Sequence, residues 1–350
     1  MMGAGGGGRC FHAGILALLP ATVLNANDMA GSRRSLLYSA PMMPDPAQDA
    51  TACPDPYTRA PRSHCREGDA PSTQWLRLPP ASLQGALVAL VGRDTRKLAL
   101  TSAQRLSHFP ASPMVTISWF HDLDIGQVGP AGWQPFGAQV LISGSATHPG
   151  VSWAPTTGRG YTACFEAGAA QALFGVDLAA IQDRFVPVEA AVGSEFAPLW
   201  KALLDSDEAG LLAVLEHHLA QRWQAVQGRP SAPPSLRQLG RNWVERLAWQ
   251  AHQWRSVHSE RHVERRIKSF SGRSIREWQS LVRTEGLFFA ARDLHEAGQP
   301  IDWATLAQDQ GFSDQAHMSR MTKRVTGFAP GEFAQRFVHD ESLWMYRLWV

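Results

Sequence analysis

The sequence predicts an α+β chain, with a strand-rich N-terminal domain followed by an all-α C-terminal domain of two helix-turn-helix units joined by a long helix. Three observations lead there. Short alternating or apolar runs bounded by Gly, Pro and Asp fill residues 73–227. A Pro/Gly stretch, GRPSAPP, occupies 228–234. Beyond it apolar residues recur at helical spacing, and no proline falls between Pro234 and Pro300.

The order of segments follows. Residues 1–72 carry a glycine run, scattered prolines and almost no periodic apolar pattern. Such a stretch cannot bury enough surface to offset its ordering entropy, so a disordered leader is expected. Within it Ala13–Leu24 (AGILALLPATVL) is a short apolar run broken by Pro20. It is too short to span a membrane, and Leu24-Asn25-Ala26 makes a poor export cleavage site. No membrane association is expected, and a cytoplasmic location is the default.

In 73–227, Met114–Trp119 (MVTISW) and Ala138–Ser143 (AQVLIS) read as strands, whereas Ala169–Phe174 and Leu199–Trp223 read as helices. Residues 228–234 are the linker, 235–340 the helical domain and 341–350 a C-terminal extension. Trp344 and Trp349 are expected to pack a terminal helix back onto the helical module.

The net charge is only +2, but its placement is informative. Ser235–Val350 holds 17 Lys/Arg against 13 Asp/Glu, while the remainder holds 16 against 18. Cationic excess confined to one end suits a domain that meets a polyanion. The four cysteines (Cys10, Cys53, Cys65, Cys164) form no CxxC pair, so no zinc or disulfide framework is supported. Among the Ser, His and Asp residues no nucleophile pattern appears either. No catalytic residue, metal ligand or cofactor is assigned.

Two copies of one design lie in the helical domain. The clearer is 301–327 (IDWATLAQDQGFSDQAHMSRMTKRVTG). A short helix ending near Asp309 meets Gly311, which accepts positive φ without strain. Ser313 or Asp314 caps the next helix, whose Met318 and Met321 take core spacing, and Gly327 stops it. The other copy is 259–272 (SERHVERRIKSFSG), with Val263, Ile267 and Phe270 as its inward stripe. The helix before it, about 243–254, reaches it without a turn glycine, so its approach is irregular. Between the copies, Arg276–Glu296 reads as a single helix. His258 and His262 are four apart, but no HExxH pattern accompanies them and a metal is not expected.

Gly-Phe-Ser-Asp-Gln-Ala-His-Met-Ser-Arg from Gly311, then Lys323-Arg324 and Thr-Gly-Phe-Ala-Pro330, resembles the signature of the AraC/XylS-type bacterial transcription regulators. Thr322 departs from that pattern, standing where the family usually has a buried aromatic. The stretch 158–175 (GRGYTACFEAGAAQALFG) resembles, more weakly, an uncharacterised sensor-type domain found ahead of such modules. The resemblance implies two recognition helices entering successive major-groove segments about 10 bp apart.

Residue chemistry then divides the contacts. Arginine grips guanine and glutamine pairs adenine by two parallel bonds, while other cations neutralise phosphates. The base candidates are Arg261, Glu264 and Arg265 in the first unit, and Gln315, His317 and Arg320 in the second. The phosphate candidates are Arg266, Lys268, Lys323 and Arg324. The partner is double-stranded operator DNA; the resemblance admits RNA polymerase, a small-molecule effector and a second copy of the chain as further partners. The alternative is a DNA-binding module attached to an enzyme or repair domain, which would require thiolates converging on a metal, whereas Cys164 stands alone in an apolar strand.

Overall fold

The computed structural model describes residues 52–63, 73–227 and 239–349. The proposed linker 228–234, the apolar run 13–24 and most of the expected leader lie outside the described residues.

Residues 73–227 begin with nine strands: β1 (Gln74–Arg77), β2 (Leu87–Asp94), β3 (Leu106–Phe109), β4 (Val115–His121), β5 (Gly126–Gly129), β6 (Gly132–Pro135), β7 (Val140–Ser143), β8 (Gly150–Trp153) and β9 (Arg159–Phe165). Then come α1 (Ala167–Phe174), α2 (Leu178–Ile181), β10 (Phe185–Pro187), α3 (Val188–Ala191), α4 (Ala197–Asp205) and α5 (Leu211–Gln227). The strands form two antiparallel sheets, ordered β1-β2-β9-β4-β7-β10 and β3-β8-β5-β6.

The alternation in β4 sorts its side chains onto two faces. Val115, Ile117 and Trp119 are buried and join Tyr161, Phe165, Phe174, Leu203 and Leu215 in the main core. Thr116, Ser118 and Phe120 fall on the other face, opposite Cys164, Thr162 and Gly160 of β9. That face looks into a cavity of about 200 Å³. The single helix read over 199–223 is two helices, α4 and α5, because the chain turns at 206–210, where Asp207 Oδ1 accepts the Gly210 N–H at 2.9 Å.

The helical domain comprises α6 (Leu239–Arg255), α7 (Glu260–Ser271), α8 (Ile275–Glu296), α9 (Trp303–Asp309), α10 (Gln315–Thr326), α11 (Pro330–His339) and α12 (Trp344–Trp349). The strand-rich and helical domains expected from sequence are both present, and they share packing. Trp243, Leu247, Val263, Ile267 and Trp278 belong to the same core as the first domain's helices.

Two expectations are corrected. Residues 52–63 are packed, although 1–72 as a whole was expected to be a disordered leader. Ala60 is fully buried, Arg62 N–H donates to His339 O at 3.0 Å, and Arg336 Nη2 donates to Tyr57 O at 2.5 Å. A proline-rich strap has few backbone donors to satisfy, and here the C-terminal helices supply its partners. Trp344 and Trp349, expected on the helix-turn-helix module, pack on the first domain, with Trp344 Nε1 donating to Ser107 Oγ at 2.8 Å, whereas Tyr346 of the same helix α12 meets Phe333 of α11 at 5.1 Å. Its Trp344 and Met345 pack against Val91 because the sheet offers them an apolar seat.

Candidate nucleic-acid interface

The second unit assembles as the sequence implied. Asp302 caps α9 by accepting the Ala304 N–H at 2.9 Å, and Gly311 takes φ +72° at the turn. Of the two cap candidates it is Asp314 that closes α10, accepting the His317 N–H at 2.6 Å. That bond holds the Asp314 carboxyl below its usual range. Met318 is buried with Leu287, Leu306 and Phe312, and Gly327, at φ +86°, ends the helix. Thr322 is fully buried and its hydroxyl finds no partner among the described residues, so the departure from the family pattern leaves an unsatisfied polar atom.

On the opposite face Gln315, Arg320, Lys323 and Arg324 are exposed. His317 is half-buried, its Nδ1 3.1 Å from Ser313 Oγ and its ring edge-on to Phe312. Arg324, read as a phosphate ligand, is engaged within the protein, pairing with Glu277 at 2.7 Å.

The first unit has its own means of entering α7. Where a turn glycine is missing, Val257 and His258 N–H both donate to Trp254 O, and Ser259 then caps α7 at the His262 N–H. Val263 and Ile267 are buried, whereas Arg261, Glu264, Arg265, Arg266 and Lys268 are exposed. The Arg266 guanidinium lies over the Trp254 ring, 4.4 Å from its centroid, and 3.0 Å from His258 Nε2. Arg265 Nη2 is 3.1 Å from His262 Nδ1. The two histidines therefore serve their arginine neighbours.

Between the units stands α8, 22 residues long, about 33 Å at the usual helical rise. It opens on a capping box: Ser274 N–H donates to Glu277 Oε2 at 3.0 Å, and Glu277 N–H donates to Ser274 Oγ at 3.3 Å. Partial burial of the Glu277 carboxyl is outweighed by donation from Ser274 and Arg324, which together bring it down to about 2. The Ser-x-x-Glu spacing was a readable signal for that box. Nothing local signalled the partner 47 residues away.

The first domain touches both units. At Gly272, with φ +80°, a Cβ would overlap the Gln182 carboxamide at the end of α2. Ala111 N–H donates to Val325 O of α10 at 3.0 Å. The His108 ring meets Phe328 at 5.1 Å. Cys164 lies fully buried in β9, where desolvation pushes its thiol up to about 12 and keeps it protonated at neutral pH.

Residues 257–336 match the family model described as "Helix-turn-helix domain". No curated protein matches the chain. Among solved structures, one of ToxT from Vibrio cholerae is 7% identical with a TM-score of 0.34, covering 75% of this chain and 98% of that one. ToxT from Vibrio cholerae strain SCE256 with unsaturated fatty acid bound is 10% identical with a TM-score of 0.28, covering 65% and 93%. At these values the likeness carries no weight for fold or ligand. The matched residues run from the turn before α7 through most of α11, so both capped helices and their strut lie inside them. Residues 257–336 are thus similar to a helix-turn-helix domain, a fold whose second helix can lie in the major groove of DNA.

Proposed function

We propose that α7 and α10 read two successive major-groove segments of operator DNA, and that the sandwich of residues 73–227 regulates this reading. The carrying observation is that two capped helices, each stopped by a left-handed glycine, both pack on one 22-residue helix with polar side chains outward. Arg261, Glu264, Arg265, Gln315, His317 and Arg320 are the base-edge groups; Lys268 and Lys323 are the freer phosphate groups. Arg266 and Arg324, held by Trp254 with His258 and by Glu277, must first exchange those partners for phosphate.

A small-molecule effector, a second copy of the chain and RNA polymerase complete the scheme in the cytoplasm. Contacts of the sandwich with both reading units support a regulatory role, since a change in its packing is felt at Gly272 and at Val325. Footprinting on the chain's target promoter tests the proposal. Protection should fall into two blocks about 10 bp apart. A single compact block, indifferent to substitutions in α10, refutes it.

A further inference from the structure

A guanidinium carries N–H donors and no acceptor, so a ring nitrogen bonded to it must present a lone pair. Arg266 Nη1 lies 3.0 Å from His258 Nε2, and Arg265 Nη2 lies 3.1 Å from His262 Nδ1. Both imidazoles therefore accept, and in this arrangement both are neutral. His258 stands just ahead of the Ser259 cap and His262 in the first turn of α7, so the spacing of four brings one ring back onto the other. Their centroids are 4.4 Å apart and their planes 32°. The Trp254 ring lies 4.4 Å from the Arg266 guanidinium carbon. Contacts thus run in series from Trp254 through Arg266, His258 and His262 to Arg265.

The charges around the pair are of one sign. Desolvation, then His258, Arg265 and Arg266, hold the His262 pKa below its ordinary value. From α6 come the uncharged Trp254 ring and, one residue on, the exposed Arg255. Glu260 and Glu264 are exposed, and among the described residues no carboxylate pairs with either ring. The other neighbours of α7 meet it elsewhere: α2 at Gly272, and α8 on the buried stripe through Trp278.

We propose that His258 and His262 are positioning residues for Arg266 and Arg265, and that a solvent proton taken up by either ring frees the arginine it holds for DNA. An imidazolium has N–H at both nitrogens and no lone pair, so the guanidinium about 3 Å away loses its acceptor and is repelled. The freed guanidinium and the new imidazolium can each neutralise a phosphate and release a counterion. Two stacked rings repel a second proton, so the pair charges in separate steps. Phosphate favours the charged ring. The DNA complex then binds more protons than the free chain, and affinity rises as pH falls through the ordinary histidine value near 6.5. This inference rests on the function proposed above and adds a proton to its first reading unit.

The test uses the full chain and a rhodamine-labelled duplex of mixed sequence, because phosphate contacts need no particular sequence. Anisotropy titrations run at constant ionic strength between about pH 7.5 and 5.5, one unit either side of the ordinary value. The double variant His258→Gln with His262→Gln keeps a carboxamide oxygen for each arginine but cannot titrate. Other histidines act equally in both proteins, so the difference between them reads the pair. The gain in affinity on acidification should be larger in the unaltered chain by about fivefold or more. Its salt slope should also steepen by about one at low pH, and that of the variant should not. A second measurement needs no variant: imidazole resonances of the unaltered chain, with the two rings identified by cross-relaxation between them, should titrate at higher pH once duplex is added. Equal gains in the two proteins, or resonances that ignore the duplex, overturn the inference. If that happens while the two-block footprint is intact, the function proposed above stands. Absence of duplex binding at every pH refutes that function and the proton coupling with it.

Discussion

Arg93 of β2 and Glu341, just ahead of α12, form a buried ion pair at 2.7 Å that joins the first domain to the C-terminal segment. Burial brings the Arg93 guanidinium down to about 10, with Glu341 opposing the shift. Glu341 also accepts from Ser63 N–H and Oγ, both at 3.2 Å, so one carboxylate gathers three parts of the chain. Removing one partner leaves the other charge buried and alone. Glu341→Ala should therefore cost about 3–5 kcal/mol, whereas the paired change Arg93→Met with Glu341→Leu should cost much less. Urea unfolding of the single and double variants separates the two; equal losses would contradict the pairing.

Base-edge and phosphate groups should respond differently. Gln315→Ala, Arg320→Ala, Arg261→Ala or Arg265→Ala should each cost about 1–3 kcal/mol at one base position and relax specificity there. Lys323→Ala should weaken binding to all sequences and reduce the salt slope by about one. Arg324→Ala should reduce it by less, because Arg324 begins paired to Glu277. Mobility-shift titrations on matched and mutated sites at several salt concentrations check this, and equal slopes for Lys323→Ala and Arg324→Ala would remove the distinction.

His108 supplies an acid limit. Desolvation is the leading cause that lowers its pKa to about 4, with Arg336 adding to it and Asp340 opposing it. A histidine buried neutral binds fewer protons folded than unfolded, so stability falls as pH drops from the ordinary value near 6.5 toward 4. His108→Phe, which keeps a ring against Phe328, should flatten that part of the stability profile. Thermal melts between pH 7 and pH 4 provide the measurement, about the window set by those two values.

The strap 52–63 should matter to the C-terminal helices. Deletion up to residue 72 strips the cover from Arg336 and from Ala60's burial site, whereas deletion up to residue 51 retains both. The longer deletion should lower stability by several kcal/mol, as loss of a buried network does. Identical melting curves for the two truncations would show that the strap contributes nothing.

The second reading unit was almost fully legible, because its signals are local: Gly311, Asp314 and Gly327 each act within one or two turns of the chain. The first was legible in its recognition helix but not in its entry, where the Trp254 carbonyl replaces the usual glycine turn. Strand alternation at Met114–Trp119 was visible, yet the destination of its polar face was not. Thr116 and Ser118 read like solvent-facing residues and instead face a cavity, which depends on a second sheet. The contacts of the strap, of α12 and of Glu277 with Arg324 span dozens to hundreds of residues, and no periodicity encodes such pairings.

The seat of Trp344 and Met345 on Val91 also has a consequence for biosynthesis. A ribosome releases the sandwich strands well before it makes these two side chains, and domains begin folding in order of emergence. Until the stretch around 344–349 leaves the exit tunnel, the nascent sandwich carries an uncovered greasy flank. Ribosomes stalled or terminated just short of that stretch should yield chains that aggregate or recruit chaperones, even though all the described strands and both capped helices, α7 and α10, have already been synthesised.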